Sequence, residues 1–145
     1  MWTLRPATNS DGPAIGALYK DCEHPDHGAH WYTANVEGWW VVATATDDPD
    51  GPLLGAIQFC ASQPCGWIGD ILVHPYARTA PRHGFAKSNK GSLTHDLYYT
   101  AMGLLAAQGS EFVIGTVMDE RVLKMLKVHG TVDLGATHLV IRRLC

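Results

Sequence analysis

The sequence lacks most of the features that announce a chemistry by themselves. Its 145 residues include only four cysteines, Cys22, Cys60, Cys65 and Cys145, and no C-x-x-C pair. A chain of this length does not need disulfide staples, so free thiols in a reducing, cytoplasmic setting are expected. There is no H-E-x-x-H frame, no internal repeat, no low-complexity tract and no linker between domains. Residues 1–145 are therefore expected to form a single domain. No run of 18 apolar residues occurs, which argues against a transmembrane helix, and no membrane partner is expected. The opening Met-Trp-Thr-Leu-Arg-Pro lacks the charged-then-apolar build of a signal peptide. A net charge of −3 and the absence of a polybasic tail disfavour non-specific nucleic-acid binding.

What is present centres on one stretch, Trp67-Ile68-Gly69-Asp70-Ile71-Leu72-Val73-His74-Pro75-Tyr76-Ala77-Arg78. An apolar run with one carboxylate inside it stops at a proline. It then passes into an expected loop carrying Arg78, Arg82, Lys87 and Lys90. That loop ends at Gly91-Ser92, where a helical pattern begins. A strand feeding a basic loop that feeds a helix N-terminus can bind an anion, because the helix end presents unpaired N–H groups and partial positive charge.

The other elements follow from pattern. Trp2–Arg5 alternates and ends at Pro6 as a first strand. Asn9, Ser10 and Asp11 offer caps for a helix through Ile15, Leu18 and Tyr19. Asp21 to about Gly38 has no apolar period and reads as a loop or a short broken helix. Trp39–Ala45 and Leu53–Cys60 flank the turn Asp47-Asp48-Pro49-Asp50-Gly51-Pro52 as a hairpin. Leu93, Leu97, Ala101, Leu104 and Leu105 mark a helix stopped by Gly109. Glu111–Val117 is a strand, a short helix carries Val122, Met125 and Leu126 up to Gly130, and Thr137–Leu144 is a final strand. The fold class is α/β (α+β). The strand–helix–strand from Trp67 to Val117 implies a parallel pair by the crossover rule.

In order and spacing these segments resemble the GCN5-related N-acetyltransferase (GNAT) family over nearly the whole chain. Leu4-Arg5-Pro6-Ala7-Thr8-Asn9-Ser10-Asp11 is similar to its first strand and helix entry. The hairpin with Gly55-Ala56-Ile57 is similar to its second and third strands, and Val73-His74-Pro75-Tyr76-Ala77-Arg78 to the V-x-P-x-x-R segment ending its fourth. Leu123–Gly130 is similar to its last helix. The resemblance implies a mostly antiparallel sheet with a splayed central parallel pair and helices on both faces. It implies acetyl-coenzyme A (acetyl-CoA) as co-substrate and an N-acetyltransferase acting on an amine of a small molecule or protein. By position, the backbone of Leu72 and Val73 would meet the pantetheine arm. The family's phosphate-binding glycine pattern is missing directly after Arg78. Pro81-Arg82-His83-Gly84-Phe85-Ala86 keeps its small residues with a proline in the basic position. The alternative, preferred because a helix follows at once, is a loop lengthened by roughly ten residues with its turn at Lys87-Ser88-Asn89-Lys90-Gly91-Ser92. Leu126 stands where the family often carries a tyrosine as general acid.

Acetyl transfer needs a neutral amine and therefore a group to take its proton. Asp70 inside the central strand and His74 at its end are the expected bases, and their separation by four residues puts both on one face. A carboxylate in an apolar strand is costly to bury without a partner, which favours Asp70. The run Cys22-Glu23-His24-Pro25-Asp26-His27-Gly28-Ala29-His30 contains ligand residue types, but without a metal-site frame it reads as a polar loop and no metal is expected. The resemblance puts this region at the acceptor site, where His27 and His30 would read the acceptor and Trp31 and Tyr32 would cap the cleft. Two alternatives stay open: a non-catalytic relative serving in binding or assembly, and a nucleic-acid-modifying relative gripping phosphate with the basic loop. A homodimer through the final strand's edge is also compatible with the pattern.

Overall fold

A computed structural model describes residues 1–25, 28–79, 92–116, 123–124, 126–127, 132–133 and 139–143. In chain order the elements are β1 (Trp2–Pro6), α1 (Gly12–Asp21), β2 (Trp40–Ala45), β3 (Gly55–Cys60), β4 (Cys65–Val73), α2 (Pro75–Thr79), α3 (Leu93–Ala107), β5 (Phe112–Thr116), β6 (Val132–Asp133) and β7 (Leu139–Arg143). Two compact units divide the chain. One comprises Met1–Gln58 with Asp70–Thr100, the other Phe59–Gly69 with Ala101–Cys145.

In the first unit β1, β2 and β3 form an antiparallel meander, with Leu4 opposite Ala43 and Val42 opposite Ala56. Val41 and Val42 are both fully buried although they point to opposite faces, so this part of the sheet is covered on both sides. On one side α1 brings Ile15, Leu18 and Tyr19 against Trp40, Val42, Ala56 and Leu72. On the other, the first turns of α3 come so close that a Cβ on Gly55 would lie 3.0 Å from Leu97 and 3.1 Å from Leu93. The helix entry is fixed by charge and capping together. Asp11 accepts two guanidinium hydrogen bonds from Arg5, at 2.7 and 2.8 Å, and one from the backbone N–H of Thr8 at 2.8 Å. The Arg5 hydrogen bond holds the Asp11 carboxyl below its ordinary range, and the Asp11 carboxylate holds Arg5 above its own. Asn9 Oδ1 accepts from the backbone N–H groups of Val36 and Glu37, tying the following loop to this entry.

In the second unit β4 pairs parallel with β5, Cys65 opposite Phe112 through Ile68 opposite Gly115, as the crossover rule predicts. The ladder stops there, while β4 runs on to Val73. β5 pairs antiparallel with β7, and β7 with the two-residue β6. Gly109, at φ +89, closes α3 at the expected place. The N–H of Ser110 reaches the carbonyl of Leu105, and the N–H of Gly109 that of Ala106. Ser110 is buried and donates its hydroxyl to the carbonyl of Ser62 at 2.7 Å.

One local expectation is corrected, and one is made specific. Residues after Pro75 were expected to enter a loop directly, but α2 forms first. Proline supplies the first-turn residue, and the N–H groups of Ala77 and Arg78 close onto the carbonyl of His74. The segment after Asp21 contains a 3-10 turn at Ala29–Tyr32, entered through Gly28 at φ +70. No helix among the described residues is long and apolar enough to cross a membrane.

Candidate active site

The polar groups of the first unit gather where the end of α1 meets the end of β4. α1 ends in a turn in which the N–H of His24 bonds to the carbonyl of Tyr19 and the N–H of Glu23 to that of Lys20. This is the glycine-type helix stop, yet the left-handed residue is Glu23 at φ 52. The stop brings the rings of Tyr19 and His24 together, 4.9 Å apart and nearly perpendicular.

Asp70 lies opposite them on β4. The Tyr19 hydroxyl donates to Asp70 Oδ2 at 2.5 Å, and His24 Nε2 stands 3.7 Å from Asp70 Oδ1. The Asp70 side chain keeps 41% of its surface open, so solvent or a ligand reaches it. Tyr19, by contrast, has no exposed surface. Its ring stacks on Trp31 and meets Trp40 edge-on, while Trp31 and Trp40 themselves meet edge-to-face at 5.1 Å. The indole N–H groups of Trp31 and Trp40 are buried without an acceptor among the described residues.

His74 also faces the end of α1, with Nε2 3.5 Å from Asp21 Oδ2. Its Nδ1 accepts from the backbone N–H of Tyr76 at 3.1 Å. The lone pair a neutral imidazole would use as a base is thus engaged in the turn, and the tautomer it implies carries its proton on Nε2. Asp70 and His74, the two expected bases, thus each meet a residue at the end of α1.

The edge of β4 is equally specific. The N–H of His74 donates to the carbonyl of Leu54 at 2.8 Å, and the Leu72 carbonyl lies against Gly55. By strand alternation the main-chain groups of Leu72 turn toward β3, and those of Ile71 and Val73 turn away from it. Leu72, expected to present its backbone to a ligand, thus turns its main-chain carbonyl toward Gly55. The Val73 carbonyl accepts from Arg78 Nε at 2.7 Å and from the Cys22 thiol at 3.3 Å. Arg78, expected on phosphate, thus fastens α2 to the strand through Nε. Burial pushes the Cys22 thiol up, partly offset by Arg78.

Ser92 caps α3: its hydroxyl accepts from the N–H of His95 at 3.4 Å and its carbonyl from that of Asp96. The remaining expected cofactor contacts, Arg82, Lys87, Asn89, Lys90 and Gly91, lie outside the described residues, as does His27. His30 is exposed and tilts against Trp31 at 4.5 Å. Tyr32 lies across Gly16, where a Cβ would come within 2.6 Å of its ring, and under Lys20. Trp31 packs inward toward Tyr19 and Trp40, so of the pair expected to cap a cleft only Tyr32 is substantially exposed. Leu126 is helical and buried. Among the described residues no three His, Cys, Asp or Glu side chains are grouped to hold a metal ion.

No protein-family model matches the sequence, and no curated protein matches it. Solved structures do match. N-acetylglutamate synthase from Neisseria gonorrhoeae, complexed with coenzyme A and N-acetyl-glutamate, is 15% identical with a TM-score of 0.71. That match covers 100% of this chain and 35% of the synthase, so the chain spans about a third of that enzyme's length. The loading GNATL domain of CurA from Lyngbya majuscula is 12% identical with a TM-score of 0.71, covering 99% of this chain and 98% of that one. Diaminobutyrate acetyltransferase EctA from Paenibacillus lautus, in complex with L-2,4-diaminobutyric acid and coenzyme A, is 15% identical with a TM-score of 0.68, covering 100% and 96%.

Proposed function

The chain has the GNAT fold, and from that premise we propose that it is an acetyl-CoA-dependent N-acetyltransferase acting on a small-molecule amine. The observation that carries the reading is Asp70. It is a half-open carboxylate within an otherwise apolar strand, held by a buried phenol, on a fold shared with acetyltransferases solved with coenzyme A. Acetyl-CoA would supply the acetyl thioester. The main-chain groups of Ile71 and the N–H of Val73 would pair with its amides, and the Ser92-capped end of α3 would face its phosphates. Each fits the donor chemistry required: strand backbone for amides, helix N–H groups for an anion.

An amine attacks only as the free base, so its ammonium must first lose a proton. Asp70 accepts that proton, breaking an N–H bond and forming an O–H bond on Oδ1, the oxygen that Tyr19 does not hold. With Leu126 in place of a phenol, the C–S bond breaks to release a thiolate, and the second proton lost by the amine goes to that sulfur without a side-chain donor at that position. Free thiols at Cys22, Cys60 and Cys65 suit a reducing, cytoplasmic setting. The test is calorimetric titration of acetyl-CoA into the protein, followed by coenzyme A release with an amine panel. Micromolar binding and amine-dependent release are expected. Absence of binding at high protein concentration overturns the reading.

A further inference from the structure

We infer that Tyr19 and His24 are positioning residues for Asp70: the phenol fixes one carboxylate oxygen, and the imidazole takes onward the proton that the other collects. The inference rests on Asp70 being the base proposed above.

The helix stop supports it. A left-handed glutamate is a poor way to end a helix, since a glycine there avoids a cost of roughly 1 kcal/mol. The stop at Glu23 sets Tyr19 and His24 side by side, and both reach the same carboxylate, one on Oδ2 and one on Oδ1. Strain of this kind concentrates where a constellation has to be held. Tyr19 has no room to move: a Cβ on Gly28 would lie 2.4 Å from its own Cβ, Trp31 covers its face and Trp40 its edge. With Oδ2 locked, the remaining basic oxygen faces His24, whose side chain is 32% exposed. The proton can then travel from the acceptor nitrogen to Asp70 Oδ1, from there to His24 Nε2 after a small rotation closes the 3.7 Å gap, and from the imidazolium to water. Each transfer breaks one N–H or O–H bond and forms another. Among the described residues, Tyr19 and His24 meet the Asp70 carboxylate, and Asp21, Cys22, His74 and Arg78 are the further titratable and charged groups at the ends of α1 and β4.

The experiment measures coenzyme A release from acetyl-CoA with L-2,4-diaminobutyrate and L-glutamate as probe amines. His24→Gln is expected to lower kcat about tenfold or more. The KM for the amine should stay within about twofold, and added imidazole should restore part of the rate. Tyr19→Phe, which keeps the packed ring, should also lower kcat while the KM for the amine stays within about twofold. Unchanged kcat in both variants overturns the inference. If the parent protein acetylates neither amine, that failure belongs to the reading of its activity on those acceptors. The crystal structure of Tyr19→Phe then decides the positioning: a displaced Asp70 carboxylate supports it, and an unmoved one overturns it.

Discussion

At the residue scale, Asp70 and Asp11 show how a carboxylate's surroundings decide its use. Asp11 is nearly buried and fully occupied by Arg5 and the Thr8 N–H, so its work is structural. Its lowered folded pKa makes its contribution complete above the unfolded carboxyl value and lost as pH falls through the folded one. Acid unfolding should therefore steepen only below about pH 4, and Asp11→Asn should flatten that arm. The loss should be about 1 kcal/mol in chemical denaturation at neutral pH, because the Arg5 side chain is 39% exposed and screened. Asp70 is half-open, with the Tyr19 hydroxyl bonded to Oδ2 and His24 farther off at Oδ1. Asp70→Asn keeps an acceptor for Tyr19, so melting temperature and acetyl-CoA affinity should hold while kcat falls about a hundredfold. The reason Asp70 was legible from sequence is that a charge interrupts an apolar strand. Tyr19 was not, because its helical spacing reads as core, which it also is. His24 was hidden in a run whose residue types suggest metal ligands, and only the Glu23 turn gives it another use.

At the element scale, α1 and α3 end in the same hydrogen-bond pattern with different residues in the left-handed position. Gly109 is the residue that pattern favours, and the sequence announces it. Glu23 is not, and although the apolar period lapses from Asp21, nothing in the sequence marks Glu23 as the left-handed residue. Opposite outcomes are expected. Glu23→Gly should raise stability by about 1 kcal/mol in chemical denaturation. Gly109→Ala should lower it by about 1 kcal/mol or more, because the new methyl would lie 2.4 Å from Gln63 Nε2 at a positive φ. The strands were legible wherever β-branched and aromatic residues run together between turn residues. The two-residue β6 is too short to leave such a pattern. α2 was missed because a proline after a strand signals a stop equally well whether a loop or a helix first turn follows.

At the scale of the whole molecule, the element order apart from α2 and β6, the parallel β4–β5 pair and the helix-covered meander follow from patterning, and the three solved structures compared above are 12–15% identical to the chain. Fold is carried by periodicity and turn chemistry that many sequences satisfy. A site is carried by a few side chains whose meeting depends on three-dimensional detail such as the Glu23 turn. If acetyl-CoA binds the folded protein, a hundredfold excess over Kd should add about 2.7 kcal/mol of stability, a rise in Tm of roughly 5–10 °C by differential scanning fluorimetry. Coenzyme A alone should do nearly the same if most contacts are to its pantetheine and phosphates. The paired indoles behind Tyr19 give the molecule an optical reporter of its own. Two near-perpendicular chromophores 5.1 Å apart couple their electronic transitions, and the resulting circular-dichroism couplet depends on their mutual geometry. Since Trp31 also stacks on the phenol that holds Asp70, a substitution that repacks this cluster would register in that spectrum without a label.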